Sequence, residues 1–106
     1  MDPVFHVDTS AVDGQALVRL LGELDMAGAS EARNQVLDVL DQMQAGVLIL
    51  DLGGLTYCDS SGIRVLLALQ ADTEARGRKM VLRHLQPIVA RVLEVTGVRD
   101  QFDIED

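Results

Sequence analysis

Two serines, Ser60 and Ser61, stand between an acid, Asp59, and a glycine, Gly62. Just past them the apolar spacing becomes helical, at Ile63, Leu66, Leu67 and Leu69 with Val65 filling in. Such a knot has two uses. Asp59 can cap the helix while the serines fill its first turn, a frequent arrangement in which nothing binds. Or a hydroxyl can accept a phosphoryl group, which adds about −1.5 to −2 charges and three acceptor oxygens. The N–H groups of a first helical turn lack intrahelical partners and favour negative charge, so the fold is expected to tolerate the phosphate through them. Asp59 is adjacent and repels it. The effect would then fall on a partner packed against this surface, which must desolvate the new charge or set an acid against it.

Other chemistry does not come together. His6 and His84 are the only histidines, and neither is spaced with another histidine or cysteine as metal ligands are. Both read as surface or loop residues. No glycine-flanked nucleophile elbow and no phosphate loop with a lysine occurs, so neither an enzyme nor a cofactor site is expected. Gly53-Gly54 reads as a compact turn. Cys58, beside Tyr57, reads as a small buried hydrophobe.

The elements that must hold the knot follow from periodicity. The run Val47, Leu48, Ile49, Leu50 before Asp51 fits a strand buried on both faces. Ahead of it the pattern predicts an edge strand over residues 4–8, a turn at Asp13-Gly14 and a strand over 16–22 ended by Gly22. A helix is expected over about 27–44, capped by Asp25, with Ala29, Ala32, Val36, Leu40 and Met43 inward, and stopped at Gly46. Behind the knot the helix runs over about 60–76 and Gly77 ends it. A strand over 79–83, a helix opened by Pro87 and a last edge strand over 102–104 complete the chain. The order β-β-α-β-α-β-α-β argues for a mostly parallel α/β sheet with an antiparallel edge.

Composition narrows the function. A chain of 106 residues, 48% hydrophobic and 25% charged, is expected to fold as one domain over 1–106. The net charge of −8 makes nucleic acid and anionic membranes poor partners. Phe5, Tyr57 and Phe102 are too few to stack bases. The single cysteine rules out an internal disulfide, in keeping with a reducing compartment. There is no signal-peptide pattern and no membrane-length apolar run, so a cytoplasmic location is expected.

The stretch Asp51-Leu52-Gly53-Gly54-Leu55-Thr56-Tyr57-Cys58-Asp59-Ser60-Ser61-Gly62-Ile63 resembles the signature of the STAS domain, specifically of bacterial anti-sigma factor antagonists. Gly22-Glu23-Leu24-Asp25 resembles that family's second strand and the start of its first helix. Residues 93–102, with Thr96-Gly97 and Asp100, resemble its C-terminal helix and tail. The resemblance implies a small α/β domain with a mixed, mostly parallel sheet of four to five strands and helices mainly on one face. It implies a regulator that is not an enzyme. The unphosphorylated form binds an anti-sigma factor, itself a serine kinase, and so frees the sigma factor without touching it. Phosphorylation weakens that complex, and a serine phosphatase restores it. By position the acceptor is Ser60, with Asp59, Ser61 and Gly62 as its neighbours. Glu23, Asp25, Met26, Tyr57 and Arg64 fall where the partner is expected to bind, and Met26 reads equally as core. Arg64 departs from the family, which usually has glycine there. At i+4 from Ser60 it either pairs with phosphoserine, selects an acidic kinase surface, or is an ordinary exposed arginine. The same domain type also serves as an assembly subunit of lipid-transport or stress-signalling complexes, which is the alternative role.

Overall fold

The computed structural model of the chain describes residues 5–12, 14–42 and 46–105, apart from the side chains of 5–8, 11 and 12. The elements run β1 (Phe5–Val12), β2 (Gln15–Leu24), α1 (Met26–Gln42), β3 (Val47–Cys58), α2 (Ser60–Ala75), β4 (Lys79–Arg83), α3 (Pro87–Val95), a 3-10 turn (Arg99–Gln101) and β5 (Asp103–Glu105). This is the order expected from periodicity. The proposed strand start at Val4, Asp13 of the turn, and the helix residues Met43 and Gln44 lie outside the described residues.

The strands stand in sequence order, β1-β2-β3-β4-β5. β1 and β2 form an antiparallel hairpin whose last pair is Val12 with Gln15, and Gly14 takes φ +78 to close it. All later pairs are parallel. Each crossover moves one strand in the same direction, so right-handed connections put every helix on one face. The helices accordingly pack side by side, α1 on α2 and α2 on α3. Under them lie Val18 and Leu20 of β2, Leu48, Leu50 and Leu52 of β3 and Leu82 of β4, all fully buried. Ala32, Val36 and Leu40 of α1, and Ile63, Leu66 and Leu69 of α2, close that aliphatic core from above.

The other face carries a row of alternating charge across β2 to β5, where Arg19 pairs with Asp51, Asp51 with Arg83 and Arg83 with Glu105. Opposite charges on neighbouring strands favour this register. The Arg83–Glu105 ion pair, at 2.7 Å, closes the row at the β5 edge.

Two expectations about β2 and β3 are corrected. Gly53-Gly54 is not a turn, and Gly22 does not end its strand; β3 runs on to Cys58 and β2 to Leu24. Between Arg19↔Asp51 and Leu21↔Gly54, and again between Gly22↔Leu55 and Glu23↔Tyr57, β3 holds one more residue than β2. These are bulges, which bend a strand without ending it. A Cβ on Gly54 would lie 2.6 Å from Leu21 Cδ2, so the glycine admits the Leu21 side chain. Gly22 takes φ +98 at the second bulge, a conformation costly for other residues. Asp51 fixes the first bulge, accepting the Gly53 N–H at 2.9 Å and facing His84 Nδ1 at 3.1 Å.

Candidate functional site

β2 and β3 end together, Leu24 paired with Cys58, and α2 begins one residue later. The Asp59 N–H reaches back to the Leu24 carbonyl at 3.4 Å. Gly62 is what seats the helix on those strand ends. A Cβ there would stand 2.5 Å from the Leu24 carbonyl oxygen and 2.7 Å from Cys58 Sγ. Cys58 is buried, as expected. Burial, with the Asp59 charge second, pushes its thiol up to about 11. It is therefore a packing group at neutral pH.

Asp59 caps α2. Its Oδ1 accepts the Ser61 N–H at 2.9 Å and the Gly62 N–H at 3.1 Å. The Ile63 N–H, in turn, donates to the Asp59 carbonyl at 3.0 Å. The Asp59 carboxylate thus holds two of the N–H groups expected to receive a phosphate, those of Ser61 and Gly62. Ser60 itself is exposed and Ser61 half-buried.

Two hollows open at the chain neighbours of Ser60, one at Asp59 and one at Ser61. One, of about 590 Å³, is lined by Glu23, Asp25, Met26, Ala27, Tyr57 and Asp59, so its charge is acidic. The other, of about 410 Å³, runs between α1 and α2 and is lined by Met26, Ala29, Ser30, Arg33, Ser61, Arg64, Val65 and Ala68. Its charged groups are two arginines. Met26 belongs to both and is 79% exposed, so of its two readings the surface one holds. Tyr57, at 42% exposure, opens the acidic side. Asp25 also caps α1, accepting the Gly28 N–H at 3.1 Å, and so fixes where Met26 stands.

Every residue singled out around the serines therefore falls in one neighbourhood: Glu23, Asp25, Met26, Tyr57 and Asp59 on the acidic side, Ser61 and Arg64 on the basic side, Gly62 beneath. Ser30 and Arg33 of α1 were missed. With Met26 they sit at i, i+4 and i+7, a stripe beside the buried one that could have been read as a second face. Arg33 is tied to Asp72 of α2 at 3.2 Å. His84 is an exposed loop residue at φ 58, as expected of a loop residue, while the side chain of His6 lies outside the described residues. Among the described residues no group of three or more His, Cys, Asp or Glu side chains could hold a metal ion. Among them, too, no helix is long and apolar enough to cross a membrane.

A family model described as "Mlab, STAS domain" matches residues 7–104. The anti-sigma F factor antagonist of Paenibacillus polymyxa is 32% identical over 93 residues, covering 88% of this chain and 80% of that protein. Among solved structures, the anti-sigma factor antagonist SpoIIAA in its unphosphorylated form aligns with TM-score 0.76 at 22% identity, over 95% of this chain and 89% of that one. The Bacillus cell fate determinant SpoIIAA in the phosphorylated form aligns with TM-score 0.68 at 22% identity, over 96% of this chain and 91% of that one. These two likenesses speak to the fold. The chain belongs to the STAS domain family, among the anti-sigma factor antagonists.

Proposed function

We propose that this chain is a partner-switching anti-sigma factor antagonist whose switch is Ser60. Unphosphorylated, it binds an anti-sigma factor through the two hollows and the Met26 ridge and so frees the sigma factor. The anti-sigma factor is a serine kinase. In the transfer, Ser60 Oγ bonds to the γ-phosphorus of ATP as the bond to the bridging oxygen of departing ADP breaks. The hydroxyl proton goes to a base on the kinase. A serine phosphatase hydrolyses the phosphoserine, returning the hydroxyl and inorganic phosphate. The domain supplies only the acceptor, and chemistry is done on it by others. It acts in the cytoplasm as one domain over residues 1–106, without direct contact to the sigma factor.

The observation that carries this reading is the exposure of Ser60 at the start of α2, with its neighbours Asp59 and Ser61 lining hollows of opposite charge. A hydroxyl there is open to a kinase, and a phosphate there must be desolvated by anything that docks. The likeness to a protein solved in both phosphorylated and unphosphorylated forms supports the same reading. The test is incubation with the anti-sigma kinases of the source genome and magnesium ATP, with the product mapped by mass spectrometry. One phosphate on Ser60, absent in Ser60→Ala, is expected. Modification elsewhere, or none with any such kinase, would contradict it.

A further inference from the structure

We propose that Arg64 is the internal counterion of phosphorylated Ser60, so that phosphorylation draws its guanidinium out of the α1–α2 groove. The proposal rests on the reading of Ser60 as the acceptor and adds how the phosphate is held.

Three observations carry it. First, two of the N–H groups that would receive a phosphate at the helix start, those of Ser61 and Gly62, are held by Asp59 Oδ1. A phosphate on Ser60 would meet this carboxylate, with Glu23 and Asp25 lining the same hollow. A cation within reach would offset that repulsion. Second, Arg64 is exposed and has no hydrogen bond or ion pair among the described residues. Arg33, the other cation of the groove, is engaged with Asp72. Third, Ser60 and Arg64 both lie in α2 at i and i+4. Such residues share a helix face with Cβ atoms about 5–6 Å apart, and an acid placed N-terminal to a base is the favoured order. A phosphate carries about twice the charge of a carboxylate and matches the guanidinium fork.

The consequence reaches the groove. With Ser60 unmodified, Arg64 stands in the groove beside Arg33 as a positive feature available to a docking partner. Phosphorylation then does two things at once: it adds charge on the acidic side and removes an available cation from the basic side.

The test inserts phosphoserine at position 60 during translation, so no kinase is required. The phosphate is titrated by phosphorus NMR in the native sequence, in Arg64→Gln and in Arg64→Lys. Arg64 favours the dianion and lowers the midpoint; Asp59, Glu23 and Asp25 oppose it. The native midpoint is expected about 0.5 pH below that of Arg64→Gln, with Arg64→Lys between them. The Arg64 Nε–H signal should shift along the same titration curve. Equal midpoints in the native protein and Arg64→Gln, with an Nε–H signal that ignores the phosphate, would overturn the proposal. Either result leaves the phosphoswitch to its own kinase assay, so the two fail separately.

Discussion

A single hydrogen at Gly62 decides whether α2 can rest on the strand ends. With the Leu24 carbonyl 2.5 Å and Cys58 Sγ 2.7 Å from any Cβ, Gly62→Ala forces backbone, not merely a side-chain tip, to move. We expect it to cost about 1–3 kcal/mol in urea unfolding. Gly46→Ala is the control, because a Cβ there meets nothing within 4 Å. Its effect should be near zero, and equal losses at both sites would mean that the seating contact does not matter. Asp59→Ala removes the cap that holds two N–H groups, and should cost about 1 kcal/mol in the same assay. Cys58, with its thiol pushed up to about 11, should resist iodoacetamide at pH 8 until the chain is unfolded. Labelling of the folded protein at the rate of a free thiol would contradict its place in the packing.

At the scale of elements, the bulged strand β3 is the piece that aims the site. Its two extra residues relative to β2 set where Cys58, and hence α2, begins. Asp51 holds the first of these bulges. Burial raises its carboxyl, but the Gly53 N–H, then His84 and Arg19, outweigh that and hold it below the model-peptide 3.8. A carboxyl lowered on folding stabilises the fold above its unfolded value, and that contribution drains away as pH falls through the lowered value. Asp51→Asn should therefore weaken the protein against urea at pH 7, and the gap to the native chain should narrow toward pH 3. A gap that stays constant between those pH values would show that the charge is not what matters.

Much of this layer was legible in the chain itself. The helix starts at Ser60 and Pro87 were announced by a capping acid and by proline, and β4 by its three apolar residues. What hid the length of β3 was Gly53-Gly54, whose local chemistry is that of a turn. Gly54 sits in a strand because Leu21 fills the space a side chain would need, a contact between residues 33 apart in sequence, while at Gly53 that space is taken by Asp51 and His84. The charge row on the open face likewise exists only once four strands share a register. For the site, the serine knot was plain from its spacing, whereas the α1–α2 groove and the role of Arg33 depend on how two helices pack. The occupancy of the cap by Asp59 was weighed as an alternative to phosphorylation. The structure leaves room for both, since the cap uses the carboxylate and leaves the Ser60 hydroxyl exposed.

For the whole molecule, the layout keeps the packed core apart from the exposed serine proposed as the switch. All helices cover one face of the sheet, the core beneath them is continuous and aliphatic but for Phe102 and Cys58, and the serines lie at its edge. A charge added at Ser60 projects into solvent and not into that core, so it should leave the fold intact. The phosphorylated chain should unfold within about 3 °C of the unmodified one, a shift of well under 1 kcal/mol for a domain this size. A fall of 10 °C or more in scanning calorimetry would place the effect of the phosphate in the fold instead of the interface. The surface proposed for docking, by contrast, pairs an acidic hollow with a basic groove across one methionine. In the proposed switch, phosphate would load negative charge beside that boundary, where a docked partner would exclude water and the charge would cost most.

The most direct test is therefore calorimetric titration of the anti-sigma kinase with two forms of this chain, one with the Ser60 hydroxyl free and one carrying phosphoserine. The expected result is at least a tenfold loss of affinity on phosphorylation, about 1.4 kcal/mol or more, with the unfolding temperature unchanged. Equal affinity for the two forms would contradict the claim that a charge at the start of α2 controls docking.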